Sequence, residues 1–239
     1  MKHMVRGFFC LAFAAGVSFS ASAEIYRAVA DVVTEGDGLS WESPMSITNG
    51  IASVAKTGGE LWLKGETFLL TANMPALAPA GGAVTVRGGF AGTETSPEER
   101  AAGVKTTIDG QDLYSTFTVT CNKSVTLERI VFTRSNVNGI YKTGSSAFTV
   151  RECEMSHNGR INYTARVDGR GAYVNGGDNY FTNCVVSSNW GEVTVNYIGT
   201  AGIHAQQCSK VCIDGTTFER NGYVGVGRWS ACSSLYVEP

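Results

Sequence analysis

Three aromatic side chains recur at nearly one interval: Tyr141, Tyr173 and His204. Each stands two positions after a glycine (Gly139, Gly171, Gly202) and directly after an apolar residue (Ile140, Ala172, Ile203). Side chains alternate between the faces of a strand, so the three rings share an outer face and their apolar neighbours an inner one. Arg166, Asp168, Arg170 and Trp190 lie between them, with Tyr163, Glu192 and Tyr197. Aromatic surfaces among polar groups suit a sugar chain, whose ring faces pack on aromatic side chains. The forked guanidiniums of Arg166 and Arg170 match the carboxylates of acidic polysaccharides. The ligand-binding candidates are therefore Tyr141, Tyr173, His204, Arg166, Arg170 and Trp190. The competing reading is structural: stacked tyrosines that only cover a sheet.

Catalysis asks for more. A lyase acting on uronates needs a base and a neutraliser of charge, often Ca²⁺ held by carboxylates. A glycoside hydrolase needs two carboxyl groups about 5–10 Å apart. His204 as base, Tyr173 beside it and Asp168 as the carboxylate make the best catalytic set, yet the row itself carries no carboxylate. The expectation is a noncatalytic surface, with a polysaccharide lyase or glycoside hydrolase as the alternative. No cofactor is implied, and Ca²⁺ enters only with the lyase. Cys208-x-x-x-Cys212 with His204 nearby is poor zinc spacing, so no metal site is expected.

The elements that position these residues repeat. Val125–Phe132, Phe148–Met155, Asn179–Val186 and Val211–Phe218 each read as two short alternating strands joined by two polar residues. An Asn follows each (Asn136, Asn158, Asn189, Asn221), read as a turn residue that bonds its own backbone. A third strand follows a glycine: Ile140-Tyr-Lys, Ala172-Tyr-Val, Ile203-His-Ala and Val226-Gly-Arg, which places Gly227 fourth in the row. Leu235-Tyr-Val237 reads as the start of a fifth copy. The spans from Asn158 to Gly171 and from Asn189 to Gly202 are equal, and both are much longer than Asn221 to Gly225. Two insertions of one length therefore enter the same turn of successive coils. One copy cannot bury its apolar face alone, so the copies must stack.

Three strands per coil make the repeat of a right-handed parallel β-helix, and the chain resembles that superfamily, the pectate-lyase-like solenoids, over about residues 84–239. The Gly-Ala/Ile strand starts and Phe218-Glu-Arg-Asn221 are more loosely similar to the repeats of bacterial polymorphic outer-membrane proteins. The resemblance implies an all-β solenoid with its groove along the strand entered from the insertion-bearing turn, the row named above. Residues 24–107 read as a cap and first irregular coils, and 108–239 as regular coils. The cap holds an amphipathic helix starting at Ser43-Pro44 and ending at Gly58-Gly59, then strands at Glu60–Lys64, Thr67–Thr71 and Val84–Arg87. Gly38-Leu-Ser-Trp41 and Gly88–Arg100 resemble opening segments of secreted bacterial β-helix proteins, the second as a loop. The chain stops at Pro239 with no polar cap, which reads as a truncated solenoid or as an end closed by self-association.

Residues 1–23 carry a basic start (Lys2, His3, Arg6), an apolar run from Phe8 to Val17 and a small-residue site at Ala21-Ser-Ala23, the pattern of a secretory signal peptide. The expectation is export, to the cell surface, periplasm or medium, with glycans of a host or neighbour as partners. Beyond residue 23 there are 17 basic and 21 acidic residues and no basic cluster, which argues against nucleic acid. No apolar stretch is long enough to span a membrane as a helix. Six cysteines remain (Cys121, Cys153, Cys184, Cys208, Cys212, Cys232) and their pairing is open. Cys153 and Cys184 share an inward position and read as core residues or a disulfide. Cys208 and Cys232 share a turn position and read as a second pair.

Overall fold

Short alternating runs separated by single residues at positive φ divide the chain into strands. The computed structural model describes residues 24–159, 169–191, 202–223 and 235–238. The cap contains β1 (Ile25–Ala28), helix α1 (Ile47–Thr57), β2 (Gly59–Lys64) and β3 (Thr67–Leu69). A fuller coil follows, with β4 (Val84–Phe90), a 3₁₀ turn at Pro97–Glu99, β5 (Thr106–Asp109) and β6 (Thr118–Thr120). The next coils are β7 (Val125–Glu128), β8 (Ile130–Thr133), β9 (Asn138–Thr143), then β10 (Phe148–Arg151), β11 (Glu154–Ser156), β12 (Arg170–Asn175). The last two are β13 (Asp178–Thr182), β14 (Val185–Ser187), β15 (Trp190–Gly191), β16 (Ile203–Gln206), and β17 (Lys210–Asp214), β18 (Thr217–Glu219), β19 (Gly222–Tyr223), β20 (Leu235–Glu238).

All pairings between these strands are parallel, and each coil adds one strand to each of three sheets. The first sheet runs β1-β2-β4-β7-β10-β13-β17, the second β3-β5-β8-β11-β14-β18 and the third β6-β9-β12-β16-β20. Parallel crossovers of this kind are right-handed, and the fold is a right-handed parallel β-helix. The core is a set of inward columns with one residue per coil. Leu61, Val86, Leu127, Val150, Phe181 and Ile213 form one in the first sheet. Phe68, Ile108, Phe132, Met155, Val186 and Phe218 form another in the second. Cys153 and Cys184 do hold one inward position in adjacent coils, and both are free and buried, packing as small apolar residues. Burial pushes the Cys184 thiol up, so it has little thiolate character.

The bend between the first two sheets is made by one left-handed residue per coil: Arg129, Glu152, Asn183 and Gly215, with φ between 53° and 56°. The bend into the third sheet is built differently from the expectation. Its left-handed residues are Arg134, His157, Ser188 and Arg220, and the asparagines stand one position later. Asn158 and Asn189 are buried and Asn221 half-buried, and they bond between coils rather than to themselves. Asn158 Nδ2 donates to Phe132 O (3.0 Å) and Asn189 Oδ1 (3.0 Å), while Asn189 Nδ2 donates to Met155 O (2.8 Å) and Asn221 Oδ1 (2.9 Å). In the first coil Ser135, not Asn136, holds the ladder position, and its N–H donates to Asn158 Oδ1. Asn136 instead donates to Leu113 O at the surface.

This ladder explains the glycine before each third strand. A Cβ on Gly139 would come within 2.6 Å of Asn158 Nδ2, and one on Gly171 within 2.6 Å of Val186 Cγ1 and 3.0 Å of Asn189 Nδ2. The glycine is required where a ladder asparagine follows in the next coil. In the sequence Ser234, not glycine, precedes Leu235. That substitution misleads the sequence reading. Leu235–Val237 pairs with Ile203–Ala205 and is the third strand of its coil, not the start of a fifth copy. Gly225 and Gly227 therefore do not hold the predicted register, and they lie outside the described residues. Asn221 to Ser234 spans the same number of residues as Asn158 to Gly171. The equivalence of Cys232 with Cys208 falls with that register. Cys232 also lies outside the described residues, and Cys208 is free.

The cap differs in detail. The helix starts at Ile47 with Ser46 as its N-cap, accepting from Asn49 N, so Pro44 precedes it rather than opening its first turn. Gly88–Phe90 belongs to β4, and the loop begins only at Ala91. Trp41 Nε1 donates to Glu94 O (3.1 Å) and its ring lies 5.8 Å from Phe90, joining the two opening segments. Arg100 fastens the loop end to the solenoid through the buried Glu128 carboxylate, which also accepts from Arg87 and from Arg151 (3.3 Å). Burial opposes the charge on Glu128, but the Arg100 hydrogen bond and the charges of Arg87, Arg100 and Arg151 outweigh it and hold its carboxyl below the usual range. Lys142, inward between Val119 and Val174, is fully buried. Its ammonium donates to Gly144 O (2.7 Å) and Gly176 O, joining successive turns, and burial pushes its pKa down.

The register is open to direct test. Phe181→Asp places an unpaired charge in the core and should cost at least about 3 kcal/mol; an unchanged thermal midpoint would contradict the register. Asn189→Ala strands several buried groups and should cost about 2–4 kcal/mol, against under about 0.5 for Asn136→Ala, read from urea midpoints. A carboxyl whose folded pKa is depressed contributes stability above its unfolded value of about 4.3 and loses it as pH falls through the folded value. Glu128→Gln should thus melt below wild type at neutral pH, with the two curves converging at pH values below the ordinary glutamate range.

Candidate functional site

Strands β9, β12 and β16 hold Tyr141, Tyr173 and His204 side by side in one outward column, with Thr118 before them and position 236 after. Ile140, Ala172 and Ile203 point inward and are fully buried. The Tyr141 and Tyr173 rings are 5.2 Å apart and tilted by 7°, a face-to-face stack. His204 meets Tyr173 edge-on at 5.1 Å and 73°. Tyr173 is thus covered by a neighbour on each side along the column, while Tyr141 is 41% exposed and offers the open ring. A row of aromatics one per coil is therefore present, but most of its ring surface is spent on itself.

Arg170 opens β12 rather than lying in a loop. It pairs in register with Asn138, and its guanidinium carbon lies 5.4 Å from the Tyr173 ring centre. Two residues further along the strands runs a polar column that the sequence reading did not single out: Thr120, Thr143, Asn175, Gln206 and position 238. The Tyr173 hydroxyl donates to Gln206 Oε1, and Asn175 Nδ2 donates to both the Tyr173 hydroxyl and Gln206 Oε1 (3.4 Å each). Alternation was the available signal: Thr143, Asn175 and Gln206 each follow a ring of the row by two. The surface thus offers one open aromatic ring, a guanidinium and amide groups, which can bond hydroxyls and carboxylates. The last position of the polar column is Glu238, whose side chain lies outside the described ones.

Trp190 lies in β15, whose backbone pairs with β19, Trp190 opposite Gly222. Successive insertions therefore start as stacked strands leaving the ladder turn. Arg166 and Asp168 lie outside the described residues, as do Tyr163, Glu192 and Tyr197. The structure brings together Tyr141, Tyr173, His204 and Arg170. Glu128 and Asp214 end strands of the first sheet, on another face. Among the described residues no group of three or more His, Cys, Asp or Glu is placed to hold a metal ion, and no helix is long and apolar enough to cross a membrane.

No family model matches the sequence, and no curated protein matches it. Among solved structures, the crystal structure of pectate lyase Pel9A is similar at 16% identity and a TM-score of 0.47. The match covers 84% of this chain and 58% of that one, so the chain spans little more than half of that protein's length.

Proposed function

We propose that this is an exported β-helix module that binds glycans without cleaving them, along the outer face of the third sheet. The observation that carries this reading is the Tyr141–Tyr173–His204 column with Arg170 and the Asn175–Gln206 amides beside it. A sugar ring packs on the open face of Tyr141, and its hydroxyls meet the adjoining polar column. Arg170 favours acidic sugars over neutral ones. Export rests on the basic, apolar and small-residue pattern of residues 1–23.

The ring contact between Tyr173 and His204 favours a second reading, in which they serve a polysaccharide lyase as proton-transfer groups. One experiment separates the two. On an array of neutral and uronate-containing oligosaccharides, the chain should retain ligands. The Tyr141→Ala/Tyr173→Ala double variant, checked for an intact fold by its thermal midpoint, should bind at least about tenfold more weakly, a loss near 1.4 kcal/mol. Retention of full affinity by that variant would sink the proposed face. New unsaturated or reducing ends in the same polysaccharides would replace the binding reading with the enzymatic one.

A further inference from the structure

Among the cysteines of the described residues, the coils bring only one pair into register. Cys121 follows β6 and Cys208 follows β16, and β9 and β12 lie between those strands in the third sheet. Cys212 is in β17 and faces outward, since Val211 and Ile213 continue the inward columns of Asn179 and Phe181. Cys153 and Cys184 are placed differently. Each directly precedes a strand of the second sheet, β11 and β14, and these pair in register from Glu154 opposite Val185. The Val185 N–H donates to Cys153 O (2.9 Å), so the pairing reaches back to set Cys153 opposite Cys184. Ile130 precedes the two in their column and Thr216 follows them, so each has the other as its one cysteine neighbour.

Stacked strands hold opposed Cα atoms about 4.8 Å apart, inside the span of about 4.4–6.8 Å that a disulfide tolerates. The Cys184 thiol is turned toward its neighbour's coil. Its Sγ donates to Val150 O (3.4 Å), a carbonyl of the coil that carries Cys153. Both side chains are buried in the apolar core. Burial also keeps both thiols protonated while the solenoid is closed, and only a thiolate exchanges with a disulfide. Exchange therefore belongs to moments when these coils are open, during folding or local unfolding.

We propose that Cys153 and Cys184, free in this structure, are the site of an intercoil disulfide that staples the coil carrying Arg170 and Tyr173. Strands β11, β12 and β13 all fall between the two cysteines, so one bond ties the entry of that coil to its exit. The oxidant is a small disulfide of the glutathione type, met in the oxidising exterior to which the proposed export leads. One thiolate attacks it and releases one glutathione, and the second attacks the mixed disulfide and releases another. The protein gives up two electrons and two thiol protons, and glutathione disulfide is reduced to two glutathione molecules. The bond restricts the opened chain more than the folded one, which favours the folded coil.

The test incubates the full chain in a glutathione redox buffer with urea below its unfolding midpoint, where coils open and reclose. Remaining thiols are then blocked with N-ethylmaleimide in concentrated urea without reductant, and the digested protein is mapped by mass spectrometry. A single peptide pair joining Cys153 to Cys184 is expected, with Cys121, Cys208 and Cys212 blocked. After removal of urea, the oxidised protein should melt at least about 4 °C above the reduced one. Cys184→Ala should melt alike in oxidising and reducing buffer, whatever packing it also loses. Both thiols found blocked, or either joined to a different cysteine, would overturn the proposal. So would equal midpoints for the oxidised and reduced wild type, or a difference that persists in Cys184→Ala.

Discussion

Everything on the outer surface depends on coils that stack in register, and the register at the most heavily loaded corner is held by buried amides. Asn158, Asn189 and Asn221 each donate back to a carbonyl of the coil before, and the first two also donate forward to the next asparagine. A buried amide left without partners costs more than the bond itself contributes, so a one-residue slip is penalised at every rung. The corner can therefore carry insertions of equal length in successive coils without the third strand losing its place. That constancy is what puts Tyr141, Tyr173 and His204 in one line.

The solenoid was largely legible because it repeats. Columns such as Val150–Phe181–Ile213 follow from aligning four copies, and period-two alternation assigns each residue a face. What could not be read was wherever the local signal changed while the structure did not. Ser135 holds the ladder position without being Asn, and no glycine precedes Leu235 in the sequence, so Val226-Gly-Arg displaced the true strand at Leu235–Glu238. Lys142 shows the opposite failure. Alternation already placed it inward, but a lysine is not expected among core residues. Only the converging carbonyls of Gly144 and Gly176 make the position tolerable.

The candidate site was legible as a row but not as a surface. Spacing gave the aromatic column. It could not show that Tyr141 and Tyr173 stack face to face, which leaves Tyr141 as the accessible ring, nor that Tyr173 is tied through its hydroxyl to Gln206. Those contacts join residues of successive coils, far apart along the chain. They make the face a rigid array, in which ring surface is limited and hydrogen-bonding groups are plentiful.

The most direct measurement of this account is amide hydrogen exchange with and without a mixture of neutral and uronate-containing oligosaccharides. The account predicts added protection in 138–143, 170–175 and 203–206, with exchange in Val125–Glu128 and Phe148–Arg151 of the first sheet unchanged. Protection confined to the first sheet, or none at any sugar concentration, would contradict a glycan-binding third sheet.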